Sequence, residues 1–183
     1  PRQEDRPSHR QYRCRPSLES ILLLHDRGPE GIRGGEPDRD HLARFKRLID
    51  RLDPFLVSDH LAWSRHGDVS FPDLLPFPRT NEALDVVIRN IDITQSILGR
   101  QILIENPSLY MKIEGHEWPE SLFLAELVKR TGCGLLVDVN NVFVSASNLG
   151  FNPISYLDAL PRGVIGEIHL AGHSEDPHLG RSL

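Results

Sequence analysis

Short apolar runs recur along this chain, and each leads into a side chain able to ligate a metal. Phe55-Leu56-Val57-Ser58 leads into Asp59-His60, and Gln101-Ile102-Leu103-Ile104 into Glu105. Gly134-Leu135-Leu136-Val137 leads into Asp138, and Val164-Ile165-Gly166-Glu167-Ile168 into His169. Upstream, the run SILLL (residues 20–24) reaches His25. The run ends Val57, Ile104, Val137 and Ile168 lie 47, 33 and 31 residues apart. That spacing suits βα units of a parallel sheet. The runs are continuously apolar rather than alternating, as expected of strands covered on both faces. The fold class is therefore α/β.

Helical patterns fill the intervals. Asp38 can cap a helix that places Leu42, Phe45, Leu48, Ile49 and Leu52 on one face and stops at Asp53-Pro54. Thr80 opens a second helix, with Leu84, Val87, Ile88, Ile91 and Leu98 at helical spacing before Gly99. Pro119 suits the first turn of a third, with Leu122, Leu124, Ala125, Leu127 and Val128 as its apolar side and Gly132 as its end. Asn152-Pro153 starts a short fourth helix reaching Leu160. Residues 26–37 carry four Gly and two Pro and read as a loop, as does the polar stretch after His60. Residues 1–17 hold five Arg and no apolar periodicity, so they read as a disordered or irregular tail, with residues 18–183 as the folded domain.

In a parallel barrel the carboxyl ends of the strands converge on one face, which carries the chemistry. A lone His or Asp there is more often a turn former or helix cap. His25, His60, Glu105, Asp138 and His169 in register are another matter, because a packed core gives no reason to gather them. Three imidazoles and two carboxylates suit Fe, Mn or Zn better than Ca or Mg. Secondary candidates are Asn140 and Asn141, which directly follow Asp138, His173, four residues beyond His169, and Asp73, which could orient a ligand. His66, His116 and His178 lie in polar loops and read as solvated. Glu114, Glu117 and Glu120 precede the third helix, where carboxylates favour the dipole. No HExxH, GxGxxG, P-loop or GxSxG string is present.

Composition narrows the function classes. The 183 residues carry a net charge of −5, which argues against nucleic acid as the main partner. No apolar run approaches the ~18 residues of a membrane span. The two cysteines, Cys14 and Cys133, lie far apart, which excludes a disulfide framework or a CxxC site and points to a reducing, cytoplasmic setting.

Five longer strings occur in order: SDHLAWS (58–64), DLLPFPRT (73–80), ILIENPSLY (102–110), RTGCGLLVDVNNVFVSASNLGFNP (130–153) and EIHLAGH (167–173). They closely resemble a bacterial family of multinuclear non-heme iron-dependent oxidases, typified by the methanobactin-biosynthesis oxidase. The resemblance covers about residues 38–173. It implies a xylose-isomerase-like TIM barrel holding two or three irons and oxidising cysteine residues of ribosomally made precursor peptides with O2. A small peptide-binding protein is the implied partner. It also implies that His60, Glu105, Asp138 and His169 are iron ligands, that Asn141 and His173 lie near the cluster, and that His25 stands where the family has a His.

The family continues past the position of Leu183 with a strand ending in an Asp-x-His pair and with a later Glu, both taken as iron ligands. A full barrel needs about 250 residues, so the expectation is a partial barrel, incomplete at both ends. Such a chain is expected to associate, aggregate or be an excerpt of a longer protein, with impaired catalysis. Two alternatives stand beside the oxidase: a truncated, inactive metal- or partner-binding member, and a xylose-isomerase-like isomerase or hydrolase. Metal content separates the first of these from an enzyme.

Overall fold

The computed structural model describes residues 18–20, 24–26, 34–66, 69–172, 174–176 and 180–182. Chain order begins with β1 (Leu18–Ser20), β2 (Leu24–Asp26), β3 (Gly34–Gly35), α1 (Arg39–Leu52), β4 (Val57–His60), β5 (Trp63–His66), β6 (Val69–Leu75) and α2 (Asn81–Leu98). It continues with β7 (Leu103–Glu105), α3 (Glu120–Thr131), β8 (Gly134–Asp138), α4 (Val139–Leu149), α5 (Pro153–Asp158), β9 (Ile165–His169) and the hairpin β10 (Ser174–Asp176) and β11 (Gly180–Ser182).

The main sheet has the order β1-β4-β7-β8-β9, and every neighbouring pair in it is parallel. The four expected strand–helix units are therefore present. The expected barrel strand at residues 20–24 is displaced, however. The strand that pairs with β4 is Leu18–Ser20, while His25 lies in β2 of a second, four-stranded sheet ordered β3-β2-β5-β6. There His25 is in register with Gly35 and Arg65. The chain leaves the main sheet after both β1 and β4, and the two continuations pair in parallel as β2 and β5. This corrects the loop reading at residues 34–35 and after His60. Pairing with neighbouring chain, not local propensity, makes strands there. The expected disordered tail at residues 1–17 lies outside the described residues.

The helix caps follow the sequence. Asp38 Oδ1 accepts from the Asp40 and His41 N–H groups at 2.9 and 3.0 Å. Thr80 accepts from Ala83 N–H, and left-handed glycines end α2, α3 and α4. The apolar stripes are narrower than the spacing predicts. Leu42 and Ile49 are buried, yet Leu48 and Leu52 are 41% and 42% exposed, and in α3 Leu122 is exposed while Phe123 is buried. Helix α4 has no counterpart among the expected helices, since Val142, Asn141, Ser145 and Asn148 are weak helix formers. Burial of Val142, Val144 and Ala146 overrides that propensity.

The core lies between helices and sheet. Val57, Ile104, Leu135 and Val137 share one sheet face in register, and pack with Leu84, Val87 and Ile91 of α2 and Phe123, Leu124 and Leu127 of α3. Each such side chain contributes about 1.5–3 kcal/mol when fully buried. The opposite face carries Leu103, lying over Gly134 and Gly166. Among the described residues, no helix is long and apolar enough to cross a membrane.

A loop after β7 clamps the start of α2. His116 Nδ1 accepts the Arg79 N–H at 3.0 Å, Glu117 accepts the Asn81 N–H at 2.8 Å, and Trp118 Nε1 donates to Asn81 Oδ1 at 3.0 Å. His116 is thus bound, not solvated, and Glu117 serves α2 instead of the helix it precedes.

Two outcomes test this packing. A Cβ at Gly134 would stand 2.5 Å from a Leu103 methyl and 3.2 Å from the Val164 carbonyl oxygen, whereas one at Gly163 meets nothing within 4 Å. Gly134→Ala should cost about 1–3 kcal/mol, as overpacking does. Gly163→Ala should shift the denaturation midpoint little, and equal shifts would contradict the packing. Desolvation first, then the Arg79 charge, lower the His116 pKa from its ordinary value against the pull of Glu114. The fold therefore favours neutral His116, so its contribution to stability is full above the ordinary His value and is lost as pH falls through the depressed one. Melting curves from pH 7.5 to 5 should fall more steeply for the wild type than for His116→Asn, and parallel curves would remove the latch.

Candidate metal centre

Parallel pairing brings the strand ends to one edge. His60 closes β4, Glu105 β7, Asp138 β8 and His169 β9, with His60 in register with Glu105 and Asp138 with His169. His60 Nε2 lies 2.9 Å from Glu105 Oε2, and His169 Nδ1 lies 3.8 Å from Glu105 Oε1. One ligand atom each from Glu105, Asp138 and His169 falls within a 4.8 Å cluster. Glu105 is 4% exposed and Asp138 6%, while His169 is half-buried. The main chain of Glu105 is held too, because its carbonyl accepts the Leu61 N–H at 3.1 Å.

Buried polar atoms in a folded protein ordinarily find hydrogen-bond partners, and several at this edge do not. Glu105 Oε2, Asn141 Oδ1 and Glu167 Oε2 are buried and make no hydrogen bond among the described residues. The His60 ring approaches Glu105 Oε2 at ion-pair distance without hydrogen-bond alignment. Oxygen lone pairs left over beside imidazole nitrogens fit a divalent transition metal. Glu105, Asp138 and His169 thus form a possible metal site with His60 at its side.

The remaining candidates are distributed around it. Asn141 is buried. Its N–H donates to Asp138 Oδ1 at 2.8 Å, and its Nδ2 donates to the Asn106 carbonyl at 2.9 Å and, weakly, to Glu105 Oε1 at 3.5 Å. Asn140 instead donates to the Gly172 carbonyl at 2.6 Å, tying the first turn of α4 to the segment after His169. Asp73 lies in β6 and His25 in β2, both in the four-stranded sheet and not at an end of the main one. His173 lies outside the described residues.

Two residues escaped the sequence reading. Glu167 is two positions before His169 on β9, so both side chains share a face, and its Oε1 lies 3.6 Å from His169 Nε2. A single acid inside an apolar strand was the available signal. Asn106 is fully buried, and its side chain bonds the Asp138 backbone, accepting from N–H at 2.8 Å and donating to the carbonyl at 3.0 Å. The signal there was an amide side chain placed between a strand end and Pro107.

A second buried cluster resolves its charges internally. Glu120 pairs with Arg79 at 3.1 Å through one oxygen and accepts Tyr156 O–H at 2.8 Å through the other. Burial pushes the Glu120 carboxyl up against the opposing Arg79 charge and raises the Tyr156 phenol. Glu120 is therefore a buried ion-pair partner, and not only an acid at the helix dipole as its position suggests. A pocket of about 350 Å³ opens beside this cluster, lined by Arg79, Leu109, Phe151 and Tyr156 among others. Cys133 is buried, which pushes its thiol up to about 11 and keeps it protonated.

Comparison with known proteins sets this geometry in context. A sequence profile described as "RiPP precursor modification enzyme MbnB/TglH/ChrH" matches residues 33–181. A UPF0276 protein of Caulobacter vibrioides (strain NA1000 / CB15N) is 55% identical over 170 residues, covering 88% of this chain and 61% of its own length. One from Caulobacter sp. (strain K31) is 62% identical over 155 residues, covering 85% and 56%. UPF0276 protein RB0508 of Rhizobium meliloti (strain 1021) is 49% identical over 148 residues, covering 81% and 46%. The chain thus spans between 46% and 61% of the length of these curated relatives. Among solved structures, the apo 3-keto-D-glucoside 4-epimerase YcjR from E. coli superposes with a TM-score of 0.51 at 14% identity, over 86% of this chain and 58% of that one. This likeness shows the shared fold, the parallel strand–helix arrangement of a TIM barrel.

If the cluster holds a metal, Glu105→Gln should weaken binding of a divalent transition metal by about tenfold or more, since it removes a buried carboxylate from the group. Glu114→Gln, at an exposed position, should leave binding unchanged. Anaerobic titration followed by elemental analysis checks both, and equal affinities would take Glu105 out of the site.

Proposed function

This chain belongs to the MbnB/TglH/ChrH family of RiPP precursor modification enzymes, and from that premise we propose that it is the metal-binding part of an iron-dependent oxidase. Its proposed substrate is a cysteine of a ribosomally made precursor peptide, and O2 is the electron acceptor. The observation that carries this reading is the gathering of Glu105, Asp138 and His169 within 4.8 Å at the carboxyl ends of neighbouring parallel strands. His60, Glu105, Asp138 and His169 would hold two or three irons, with Asn141 against the carboxylates. Iron, when bound, supplies the one-electron and oxygen chemistry that no protein side chain offers.

The chain's own residues supply placement. Leu61 fixes the main chain of Glu105, Asn141 fixes one oxygen of Asp138, and Leu103 and Leu136 close the sheet face beneath the cluster. His169 stands half-exposed at the rim, on the side from which a peptide side chain would approach. A net charge of −5 accords with a peptide partner in place of nucleic acid. A small protein that binds the precursor, and a cytoplasmic setting, complete the proposal. His25, Asp73, Asn140 and His173 are proposed as further ligands or supports.

The test is turnover. The chain is loaded anaerobically with ferrous iron, mixed with a Cys-bearing precursor peptide and exposed to oxygen, and the peptide is followed by mass spectrometry. The expected result is an oxygen-dependent mass change at the cysteine, absent with Glu105→Gln. An iron-loaded chain that leaves the peptide unchanged would overturn the oxidase reading for this chain and favour a metal-binding member without activity.

A further inference from the structure

Strand β7 ends at Glu105, whereas its neighbour β8 runs two residues beyond the register pair Glu105–Leu136. Asp138 therefore has no strand residue opposite it on the β7 side. The chain there reads Asn106-Pro107, and a proline carries no N–H for a ladder. Both backbone groups of Asp138 are nevertheless satisfied on that side by one side chain, since Asn106 Oδ1 accepts the N–H at 2.8 Å and Asn106 Nδ2 donates to the carbonyl at 3.0 Å. A carboxamide is suited to this, because it presents one acceptor and one donor side by side as a peptide group does. An aspartate offers acceptors only, and an aliphatic side chain offers neither.

The bonds close into a ring. Glu105 is covalently joined to Asn106, and Asn106 holds the Asp138 main chain. The Asp138 carboxylate holds the Asn141 N–H at 2.8 Å, and Asn141 Nδ2 returns to the Asn106 carbonyl at 2.9 Å. All four residues are buried. The ring spans the gap between the two carboxylates and touches both.

We propose that Asn106 is a positioning residue of the metal centre: standing in for a strand residue opposite Asp138, its side chain sets the separation of the Glu105 and Asp138 carboxylates. This rests on the metal reading of the cluster. Asn106 is not a ligand, because both polar atoms of its side chain are engaged with Asp138. Its effect passes through the position of Asp138.

A residue that merely joined β7 to β8 would lower stability and leave the site intact, so the test separates the two. Ser145 supplies the control: it is buried, its Oγ accepts the Leu109 N–H at 2.8 Å in the same loop, and it makes no bond to the cluster. Wild type, Asn106→Ala and Ser145→Ala, each as the full chain, are titrated anaerobically with Co²⁺ while the ligand-field spectrum is recorded, and the metal-free forms are melted. Both variants should melt below wild type, but only Asn106→Ala should lose about 10- to 100-fold in cobalt affinity.

If Asn106→Ala does not fold, Asn106→Asp replaces it. That variant is isosteric and keeps the acceptor but not the donor, so a shifted spectrum at saturating cobalt is expected. Wild type that binds cobalt, beside Asn106 variants with unchanged affinity and spectrum, overturns the positioning role alone. Wild type that takes up no cobalt overturns the metal reading and this inference with it.

Discussion

Parallel pairing of β4, β7, β8 and β9 is the constraint from which the rest follows. In a parallel sheet every strand delivers its carboxyl end to the same edge, so residues distant in sequence meet without any direct bond between them. The register supplies the remaining precision: His60 beside Glu105, Leu136 beside Glu167, and Asp138 beside His169. A slip of one residue in β8 would turn Asp138 toward the helix layer, where Val137 and Leu135 now pack. The apolar face and the polar edge are therefore set by the same hydrogen bonds.

Burying acids is costly, and this fold contains two solutions. Glu120 is neutralised within the protein: Arg79 takes one oxygen and Tyr156 the other, and nothing is left for a ligand. Glu105 is treated differently. It sits within 4.8 Å of a second carboxylate and no Arg or Lys pairs with it among the described residues, while one of its oxygens lacks a hydrogen-bond donor. The first cluster closes on itself, while the second leaves a buried carboxylate oxygen without a donor beside two imidazoles, the donor set that suits a divalent transition metal. That contrast, within one chain, is the physical case for a metal at the strand ends.

Much of this is legible in the sequence. Strand–helix alternation and the caps at Asp38, Thr80 and Gly132 follow from local chemistry, and the His, Glu and Asp residues at strand ends follow from topology. What escaped depended on neighbours distant in sequence. His25 follows an apolar run, but pairing with β5 carries it into a separate sheet. Helix α4 is assembled from poor helix formers held by burial. His116 looks solvated, and Glu117 looks like an acid at the dipole of the third helix, until the loop folds back on α2. Asn106 gains a role only when Asp138 is placed opposite it, and Glu167 only when period two puts it under His169. Family resemblance supplied iron and the peptide substrate, which no spacing argument reaches.

The central claim is that the Glu105, Asp138 and His169 edge holds a transition metal. Crystals grown anaerobically with ferrous iron and measured on either side of the iron absorption edge test it directly. The account predicts an anomalous peak at coordination distance, about 2.0–2.2 Å, from the carboxylate oxygens of Glu105 and Asp138 and a ring nitrogen of His169. An iron-soaked crystal with no peak there, or with iron only at surface histidines, would contradict it.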